Sequence, residues 1–234
     1  SWGKAGAFSF NQFKIITCGE GGAMVTSDAG VYGRALTFHD VGTPFRAQAD
    51  LAERPVFAGL NFRMNEVLSA ILRVQLGRLN GILKALRHEK KVMMEELAGV
   101  SASQFNPVHD IEGDCATTLA LLFESGEEAR TFIGAVKEKG IELASPIDSG
   151  HHVYANWTTV LEKRGAHHPG RDPFKLCGYD IQYSKDMCPR TLEYLARTVY
   201  IPTAVNRGEG DLMNFLEIIK KAAQIRPITK QPVD

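Results

Sequence analysis

The sequence predicts an α/β fold, and three observations support this prediction. Apolar strand patterns alternate with amphipathic helix patterns along the second half of the chain, as in β-α-β units. One long helix pattern joins that half to a glycine-rich first part. The composition is that of a folded protein, because 44% of the 234 residues are hydrophobic and the formal net charge is zero.

The elements of the first part follow in order. Residues Ala23–Thr26 are predicted to form a short strand, and Ser27-Asp28 then caps a helix near Ala29–Phe38. Residues 43–59 contain two prolines and little periodicity, which predicts a long loop. A helix of about thirty residues follows from the expected cap at Asn65. Two glycines inside it, Gly77 and Gly81, predict close backbone packing or a kink.

The second part is predicted to alternate between strands and helices. Its predicted strands are Thr117–Phe123, Ile141–Ala144 and Val199–Ile201. One predicted helix begins with a capping box of Ser125 and Glu128, another begins at Pro189, and the last covers Asp211–Ile225. The stretch between residues 145 and 185 has no periodicity and is predicted to be irregular. This order predicts a small α/β domain.

Charge, hydropathy and cysteine usage exclude several classes of function. The 27 basic residues only balance the 27 acidic ones, so no excess charge is available to bind nucleic acid through its phosphates. No apolar run approaches the ~20 residues that a membrane span needs. The four cysteines lie far apart, and we interpret them as reduced thiols in a cytoplasmic protein.

The segment between residues 8 and 22 is the most informative for chemistry. Lys14 lies between two apolar residues, and apolar surroundings lower the pKa of a lysine, so that its neutral amine can attack a carbonyl. Ser9 can donate its hydroxyl to a phosphate. Gly19, Gly21 and Gly22 allow a backbone to approach a ligand closely. The same residues also fit a strand, a surface lysine and a glycine-rich turn.

Two motifs resemble one enzyme family. The pattern S-F-x-x-x-K from Ser9, followed by G-E-G-G from Gly19 and a strand, resembles the cofactor-lysine segment of the DegT/StrS-type sugar aminotransferases. These enzymes belong to fold type I of the pyridoxal-phosphate enzymes. The segment from Gly59 to Met64 is similar to the family's G-x-N-x-R-M motif, and an A-x-x-x-x-Q-L-x-x-L pattern from Ala70 follows it.

The resemblance implies roles for particular residues. Lys14 would hold pyridoxal phosphate covalently and then move a proton between substrate and cofactor carbons. Ser9 would bind the cofactor phosphate. Asn61 would reach the phosphate in the neighbouring subunit, which implies a homodimer with shared active sites. Arg63 would either hold its own loop or touch the substrate. The family's histidine two residues after the serine is replaced by Asn11, so no role carries over to that position.

A third resemblance concerns residues 150–157, which are similar to the family's small-domain stretch near the substrate mouth. Tyr154 and Trp157 would pack on a sugar there, although Trp157 also fits a core position. Six potential metal ligands crowd the surrounding segment: His151, His152, His167, His168, Cys177 and Cys188. None of them has the short spacing of a structural zinc site. Zinc, a substrate pocket and a solvated loop remain three alternatives for this cluster.

The family's activity is the transfer of an amino group to a keto-sugar, nucleotide-linked or otherwise activated. Glutamate or glutamine would be the donor, and the product would serve amino-sugar, polysaccharide or lipopolysaccharide biosynthesis. Some family members are sugar dehydratases that replace the lysine by histidine, and Lys14 argues against that alternative. A non-catalytic structural or interaction fragment is the other alternative.

The position of Lys14 affects the expected domain organisation. In the family this lysine lies near the middle of a longer chain, whose earlier part supplies an aspartate for the ring nitrogen and an aromatic side chain stacked on the ring. Here only 13 residues precede Lys14. We therefore expect the C-terminal part of such an enzyme, inactive by itself. Residues 1–98 would be a remnant of the large cofactor domain with the long linking helix, and residues 99–234 the small α/β domain.

Overall fold

The computed structural model describes residues 3–42, 56–99, 103–165 and 168–224. Contacts divide the chain into two compact units, residues 1–82 and residues 83–234. This division falls inside the long helix, whereas the sequence places a boundary after residue 98, and that domain boundary stays a prediction. Most of the loop predicted between residues 43 and 59, and the last residue of the predicted closing helix, lie outside the described residues.

The first unit begins with a two-stranded antiparallel sheet. β1 (Gly6–Ser9) pairs with β2 (Gly22–Val25), so that Ser9 lies opposite Gly22. α1 (Ala29–His39) follows, and the carboxylate of Asp28 accepts a hydrogen bond from the amide of Val31 at 2.9 Å. This contact satisfies one of the amide groups that the first turn of a helix leaves unpaired, as the sequence predicts.

The long helix α2 runs without interruption over Glu66–Glu96. Asn65 caps it as predicted, because its side-chain oxygen accepts a hydrogen bond from the amide of Val67 at 2.8 Å. Of the two alternatives predicted at Gly77 and Gly81, close backbone packing is not formed by the described residues, and a kink stays a prediction. A Cβ atom placed on either glycine meets nothing within 4 Å outside the nearby backbone of the helix. The two glycines therefore weaken the helix without making room for a described neighbour.

The second unit is built on a three-stranded antiparallel sheet. Its strands are β3 (Ser103–Phe105), β4 (Thr118–Phe123) and β5 (Thr198–Pro202), with β4 in the centre. Alternate residues of β4 are buried, as expected for a strand with one face on a core. The helices of this unit are α3 (Gly126–Lys137), α4 (Pro189–Arg197) and α5 (Glu209–Ala223). Pro189 begins α4, as predicted.

The core of the second unit is closely packed. Its centre joins Phe123 of β4, Phe132 of α3, Val199 of β5 and Leu216 of α5, which are all no more than 2% exposed. The rings of Phe123 and Phe132 lie 5.0 Å apart between centroids. Met93, from the second half of α2, is fully buried in the same cluster. Burial of each of these side chains contributes about 1.5–3 kcal/mol to folding.

Two details of the second unit differ from the sequence prediction. Residues 141–144 do not form a strand, because Ala144 makes only a single bridge to Tyr200. Pro146 lies two residues later, lacks an amide donor and starts a short helical turn, so the ladder cannot continue. In the capping box, the Glu128 amide donates to the Ser125 hydroxyl at 3.2 Å as predicted. The Glu128 carboxylate, however, accepts from the amide of Glu124 and not from that of Ser125.

The stretch predicted to be irregular consists of short turns. Single helical turns cover Pro146–Asp148, Gly150–His152, Tyr154–Asn156, Thr158–Leu161, Pro169–Arg171 and Pro173–Leu176. None of these turns is longer than four residues. Among the described residues, no helix is long and apolar enough to cross a membrane.

An ion pair in the second unit makes its stability depend on acid pH. Lys90 Nζ lies 2.6 Å from the Asp114 carboxylate. Burial raises the pKa of Asp114, but hydrogen bonds from Lys90 and the Ala116 amide, with the charges of Lys90 and Arg87, hold the pKa below its usual value. The folded protein therefore binds this proton more weakly than the unfolded chain does. The resulting stabilisation is present above about pH 4 and is lost as the pH falls through the folded pKa.

In the wild-type protein the free energy of unfolding falls as the pH is lowered below about 4. We expect this fall to be less steep in Lys90→Met, because the pKa of Asp114 then moves toward its value in the unfolded chain. Lys91→Met is the matched control, since Lys91 is 74% exposed and lies 3.8 Å from Glu95. Urea unfolding at a series of pH values measures both slopes. Equal slopes for the two variants would contradict the role given to Lys90.

Candidate functional site

Lys14 lies on a short loop that connects β1 to β2. The loop is closed at its base, where the Phe10 amide donates to the Gly21 carbonyl at 2.8 Å and the Cys18 amide donates to the Phe10 carbonyl at 3.1 Å. The Lys14 amide donates to the Asn11 carbonyl at 3.0 Å and forms the turn at the tip. Lys14 is exposed, and Phe13 beside it is 83% exposed. The apolar surroundings predicted from the neighbouring residues are therefore not formed by the described residues.

Ser9 and Asn11 shape the same loop. The Ser9 hydroxyl oxygen accepts a hydrogen bond from the Asn11 amide at 3.4 Å, and the Asn11 side-chain oxygen accepts one from the Phe13 amide at 3.1 Å. Asn11 thus has a local structural role at the position where the family has histidine. Among the described residues the Ser9 hydroxyl acts as an acceptor and donates to no partner, so its proton is left for donation.

The two sequence motifs are in contact in the first unit. Cys18 is 4% exposed, and its thiol packs beside Gly21. A Cβ atom at Gly21 would lie 2.9 Å from the methyl group of Met64 and 3.1 Å from the sulfur of Cys18. Gly21 of the first motif therefore makes room for Met64 of the second. The packing role of Met64, the last residue of the second motif, was not predictable from the motif pattern, because it depends on contact with a residue 43 positions earlier in the chain.

The second motif forms a crossing with the end of α1. The amide of Leu60 donates to the Phe38 carbonyl at 2.8 Å, and the amide of Phe62 donates to the His39 carbonyl at 2.9 Å. The Val41 amide donates to the Leu60 carbonyl at 3.1 Å. These hydrogen bonds fix residues 60–62 against residues 38–41, and they explain why the motif starts with glycine.

We expect Gly59→Ala to destabilise the first unit by about 1–3 kcal/mol. A Cβ atom at Gly59 would lie 2.5 Å from the Phe38 carbonyl oxygen and 2.6 Å from the Gly42 amide nitrogen, and both are backbone atoms that cannot turn away. The control Gly77→Ala meets no such obstacle and is expected to stabilise α2 by up to about 1 kcal/mol. Thermal unfolding of both variants measures the difference. A melting temperature of Gly59→Ala equal to the wild-type value would contradict the crossing.

Arg63 and Asn61 are positioned by this crossing. Arg63 Nη1 lies 2.7 Å from the carboxylate of Asp40, whose side chain is 5% exposed. The Arg63 amide donates to the Asn61 side-chain oxygen at 3.2 Å. Since that oxygen is occupied, the amide nitrogen of Asn61 is the end left to donate, and it has no partner among the described residues. Asn61 itself is exposed. Asp40 was not identified from the sequence, because its partner lies 23 residues further along the chain.

Tyr154 belongs to the second unit, and its hydroxyl is occupied by the chain. It donates to the Lys185 carbonyl at 3.0 Å and accepts from the Cys188 amide at 2.9 Å. The indole nitrogen of Trp157, which is 45% exposed, donates to the carbonyl of His151. Both side chains therefore hold the irregular segment together. Whether the ring of Tyr154 also contacts a substrate stays a prediction.

The histidines and cysteines that the structure describes do not assemble into a metal site. Within the described ranges, no group of three or more His, Cys, Asp or Glu residues could hold a metal ion. His167 lies outside these ranges. Cys115, Cys177 and Cys188 are free and exposed, and Cys18 is free and buried.

The donor groups of the first unit fit an aldehyde that carries a phosphate. An exposed amine from Lys14, a hydroxyl proton from Ser9 and an unpaired amide nitrogen from Asn61 are the groups that such a molecule needs. The two loops that carry them are joined through Met64 and Gly21. A primary amine is the type of group that binds a carbonyl covalently, and hydroxyl and amide protons are donors for a phosphate.

Comparisons with known proteins find relatives in one family of enzymes. The family model of the DegT/DnrJ/EryC1/StrS aminotransferases matches residues 1–166. The 3-amino-5-hydroxybenzoate synthase of Amycolatopsis mediterranei strain S699 is 28% identical over 64% of this chain and 39% of its own length. The L-glutamine:2-deoxy-scyllo-inosose aminotransferase of Streptomyces kanamyceticus is 31% identical over 50% of this chain and 28% of its own length.

A solved structure shows the same fold. The sugar aminotransferase CalS13 of Micromonospora echinospora aligns with a TM-score of 0.66 and 21% identity, over 93% of this chain and 52% of its own chain. This likeness confirms the predicted fold class, which is the α/β fold of part of a fold type I enzyme. The chain spans about half of the length of CalS13, and it spans less than half of the length of the other two relatives.

Proposed function

Since this chain belongs to the DegT/DnrJ/EryC1/StrS aminotransferase family, as its motifs predicted, we propose that it forms part of an enzyme that aminates a keto-sugar. Aminotransferases of this family depend on pyridoxal phosphate. The proposed acceptor is a nucleotide-linked or otherwise activated keto-sugar, and the proposed donor is glutamate or glutamine. The name of one relative supports glutamine as the donor, because that relative is an aminotransferase of L-glutamine and 2-deoxy-scyllo-inosose. The product would be an amino sugar for a polysaccharide, a lipopolysaccharide or a secondary metabolite.

The observation that carries the proposal is the exposed amine of Lys14 at the tip of a closed loop that Ser9 begins. A lysine is the residue type that forms a covalent link with a carbonyl cofactor. The presence of Lys14 also argues against the dehydratase alternative, because the family's sugar dehydratases have a histidine at this position.

Each polar group has one proposed task. Pyridoxal phosphate, when bound, supplies an electron-withdrawing ring that eases removal of a proton from the amino-acid carbon. The amine of Lys14 would hold the cofactor and would serve as the base that moves this proton between the substrate carbon and the cofactor carbon. The Ser9 hydroxyl donates to the phosphate, and the Asn61 amide nitrogen donates to the phosphate in the neighbouring subunit.

Arg63 and Tyr154 are assigned to the support of the site. The guanidinium of Arg63 is held by Asp40, which favours the loop-holding role over the substrate contact. The hydroxyl of Tyr154 is occupied, so only its ring face is left for a sugar. We further propose a cytoplasmic location, because all four cysteines are free thiols.

We also propose that this chain by itself binds pyridoxal phosphate without transferring amino groups. No residue of the chain maps to the aspartate that pairs with the ring nitrogen in the family, and without that charge the ring withdraws electrons poorly. A structural or interaction role for the chain is the second candidate, and the exposure of Lys14 and Phe13, which leaves the lysine without apolar surroundings among the described residues, favours it. The two candidates differ in whether Lys14 reacts with the cofactor.

Nitrogen transfer tests the proposed function. The whole protein that contains this chain is incubated with pyridoxal phosphate, a keto-sugar and L-glutamine labelled with ¹⁵N at the α-amino group. The label is expected in an amino sugar, with an equal amount of 2-oxo acid released. Loss of water from the keto-sugar without uptake of nitrogen would instead support the dehydratase alternative and contradict the proposal.

Shared active sites predict complementation between Lys14→Ala, which is expected to be inactive, and Asn61→Ala, which is expected to be inactive only at pyridoxal phosphate concentrations too low to fill its weakened site. If Asn61 serves the neighbouring site, a mixed dimer of Asn61→Ala and Lys14→Ala subunits contains one site with both residues intact. If Asn61 serves its own site, neither site of that mixed dimer is intact. Reassociated mixtures of the two variants are therefore expected to recover activity. An inactive mixture, with mixed dimers verified by mass spectrometry, would contradict the shared site.

A further inference from the structure

Asp40 is a buried carboxylate at the end of α1. The residue is 4% exposed, and it follows directly after the last helical residue, His39. A carboxylate in such a position needs a charged or hydrogen-bonding partner. Arg63 supplies one at 2.7 Å, although its own side chain is 36% exposed. The guanidinium is thus anchored at one end by a group that solvent hardly reaches.

The same arginine also contacts Asn61 through its backbone. The Arg63 amide donates to the side-chain oxygen of Asn61 at 3.2 Å, which leaves the amide nitrogen of Asn61 as the end that can donate elsewhere. Asp40 and Asn61 are in addition partners in an antiparallel bridge. Asp40 therefore reaches Asn61 by two routes, the backbone bridge and the side chain of Arg63.

The backbone next to Asp40 is strained. Val41 has a φ of 56° and Gly42 a φ of 87°, and a β-branched residue rarely adopts the left-handed region. Such a conformation persists only where its surroundings impose it. Here the Val41 amide is held by the Leu60 carbonyl, one residue before Asn61. The strain is thus located where α1 is forced to meet the segment that carries Asn61.

We propose that Asp40 is a positioning residue for Asn61, and that it acts through Arg63 to aim the Asn61 amide nitrogen at the cofactor phosphate. This inference rests on the proposed function, because it requires Asn61 to bind that phosphate. Asp40 itself touches neither cofactor nor substrate in this account. Its charge fixes Arg63, Arg63 fixes the side chain of Asn61, and the fixed amide is ready to donate.

The test compares pyridoxal phosphate with pyridoxal, which has the aldehyde and lacks the phosphate. Asp40→Asn keeps the shape of the side chain and removes its charge. We expect it to weaken pyridoxal phosphate binding about tenfold, as loss of one charge-assisted hydrogen bond does, and to change pyridoxal binding less than about twofold. Asn61→Ala is expected to give the same pattern. The double variant Asp40→Asn/Asn61→Ala is expected to bind no more weakly than Asn61→Ala alone, because both changes remove one contact.

A second variant covers the case in which Asp40→Asn folds poorly because Arg63 loses its partner. Asp40→Asn/Arg63→Gln removes both charges, so no unpaired charge remains. It is expected to show the same selective loss of phosphate affinity. Hydrogen exchange gives a readout without cofactor. The Arg63 amide is expected to exchange at least about tenfold faster in both variants, while the amides of β1 and β2 keep the wild-type rate.

Three results would overturn the proposal. Unchanged exchange at Arg63 would show that Asp40 does not order this segment. An equal loss of affinity for pyridoxal phosphate and pyridoxal would show a general structural effect. If the losses of pyridoxal phosphate affinity caused by Asp40→Asn and Asn61→Ala add in the double variant, the two residues act independently. If Asn61→Ala leaves the affinity for pyridoxal phosphate unchanged, the role of Asn61 in the proposed function is wrong. Faster exchange at Arg63 in Asp40→Asn would then show that Asp40 orders this segment without contributing to phosphate binding.

Discussion

Replacing Lys14 by alanine is expected to abolish amino-group transfer by the whole protein that contains this chain. Loss of the general base alone lowers a rate by about 10²–10⁴-fold, and loss of the covalent link to the cofactor adds to this. Pyridoxal phosphate should still bind weakly, since the groups proposed for its phosphate, Ser9 and Asn61, remain. The measurement is the transfer of ¹⁵N from labelled L-glutamine to pyridoxamine phosphate, followed by mass spectrometry.

The matched control for this prediction is Lys4→Ala. Lys4 lies in the same unit, its side chain is 87% exposed, and its nearest charged partner is the Asp28 carboxylate at 3.7 Å. We expect this variant to transfer nitrogen at the wild-type rate, because an exposed pair at that distance contributes little. A Lys14→Ala protein with the activity of Lys4→Ala would remove Lys14 from the proposed mechanism.

Glu89→Ala is expected to destabilise the second unit by about 3–5 kcal/mol. Glu89 is 5% exposed, and its carboxylate lies 3.0 Å from Arg207 and accepts from the Ala204 amide at 3.0 Å. The guanidinium of Arg207 also lies over the ring of Phe215, at 4.5 Å from its centroid. Without Glu89, a largely buried cation and a backbone donor would both lose their partner. Urea unfolding followed by circular dichroism measures the loss.

Two further variants separate the buried pair from ordinary surface charge. Glu95→Ala removes a 63% exposed carboxylate that lies 3.8 Å from Lys91, and it is expected to change stability by no more than about 0.5 kcal/mol. Glu89→Leu/Arg207→Met replaces both charges by apolar groups, and it is expected to lose less stability than Glu89→Ala alone. If Glu89→Ala and Glu95→Ala unfold at the same urea concentration, the pair does not hold α2 to the loop after β5.

The elements that the sequence predicts best are those with a long local pattern. The apolar periodicity of α2 and the caps at Asn65 and Asp28 are local features, and the structure confirms them within one or two residues. β1 and β3 were not predicted. They have only four and three residues, too few to show a strand pattern, and they form because they pair with β2 and β4. Residues 141–144 have strand composition, but the nearby Pro146 limits them to one bridge.

The candidate site divides in the same way. Lys14, Ser9, Asn61 and Arg63 belong to contiguous motifs, so the sequence could identify them together. Asp40 could not be found, because its importance depends on burial and on a partner 23 residues away. The exposure of Lys14 agrees with the surface lysine that the sequence analysis kept as an alternative; its apolar neighbours could not decide the matter, since a neighbour in sequence at the tip of a turn need not be a neighbour in space.

Mapping the site of cofactor attachment tests the central claim most directly. The chain is mixed with an equal amount of pyridoxal phosphate, reduced with borohydride, digested and analysed by mass spectrometry. The account predicts that the reduced pyridoxyl phosphate group lies on Lys14, and that pyridoxal without phosphate labels this lysine far less. An even distribution over exposed lysines, with Lys4 labelled as strongly as Lys14, would contradict the claim that this loop is the cofactor-binding part of an aminotransferase.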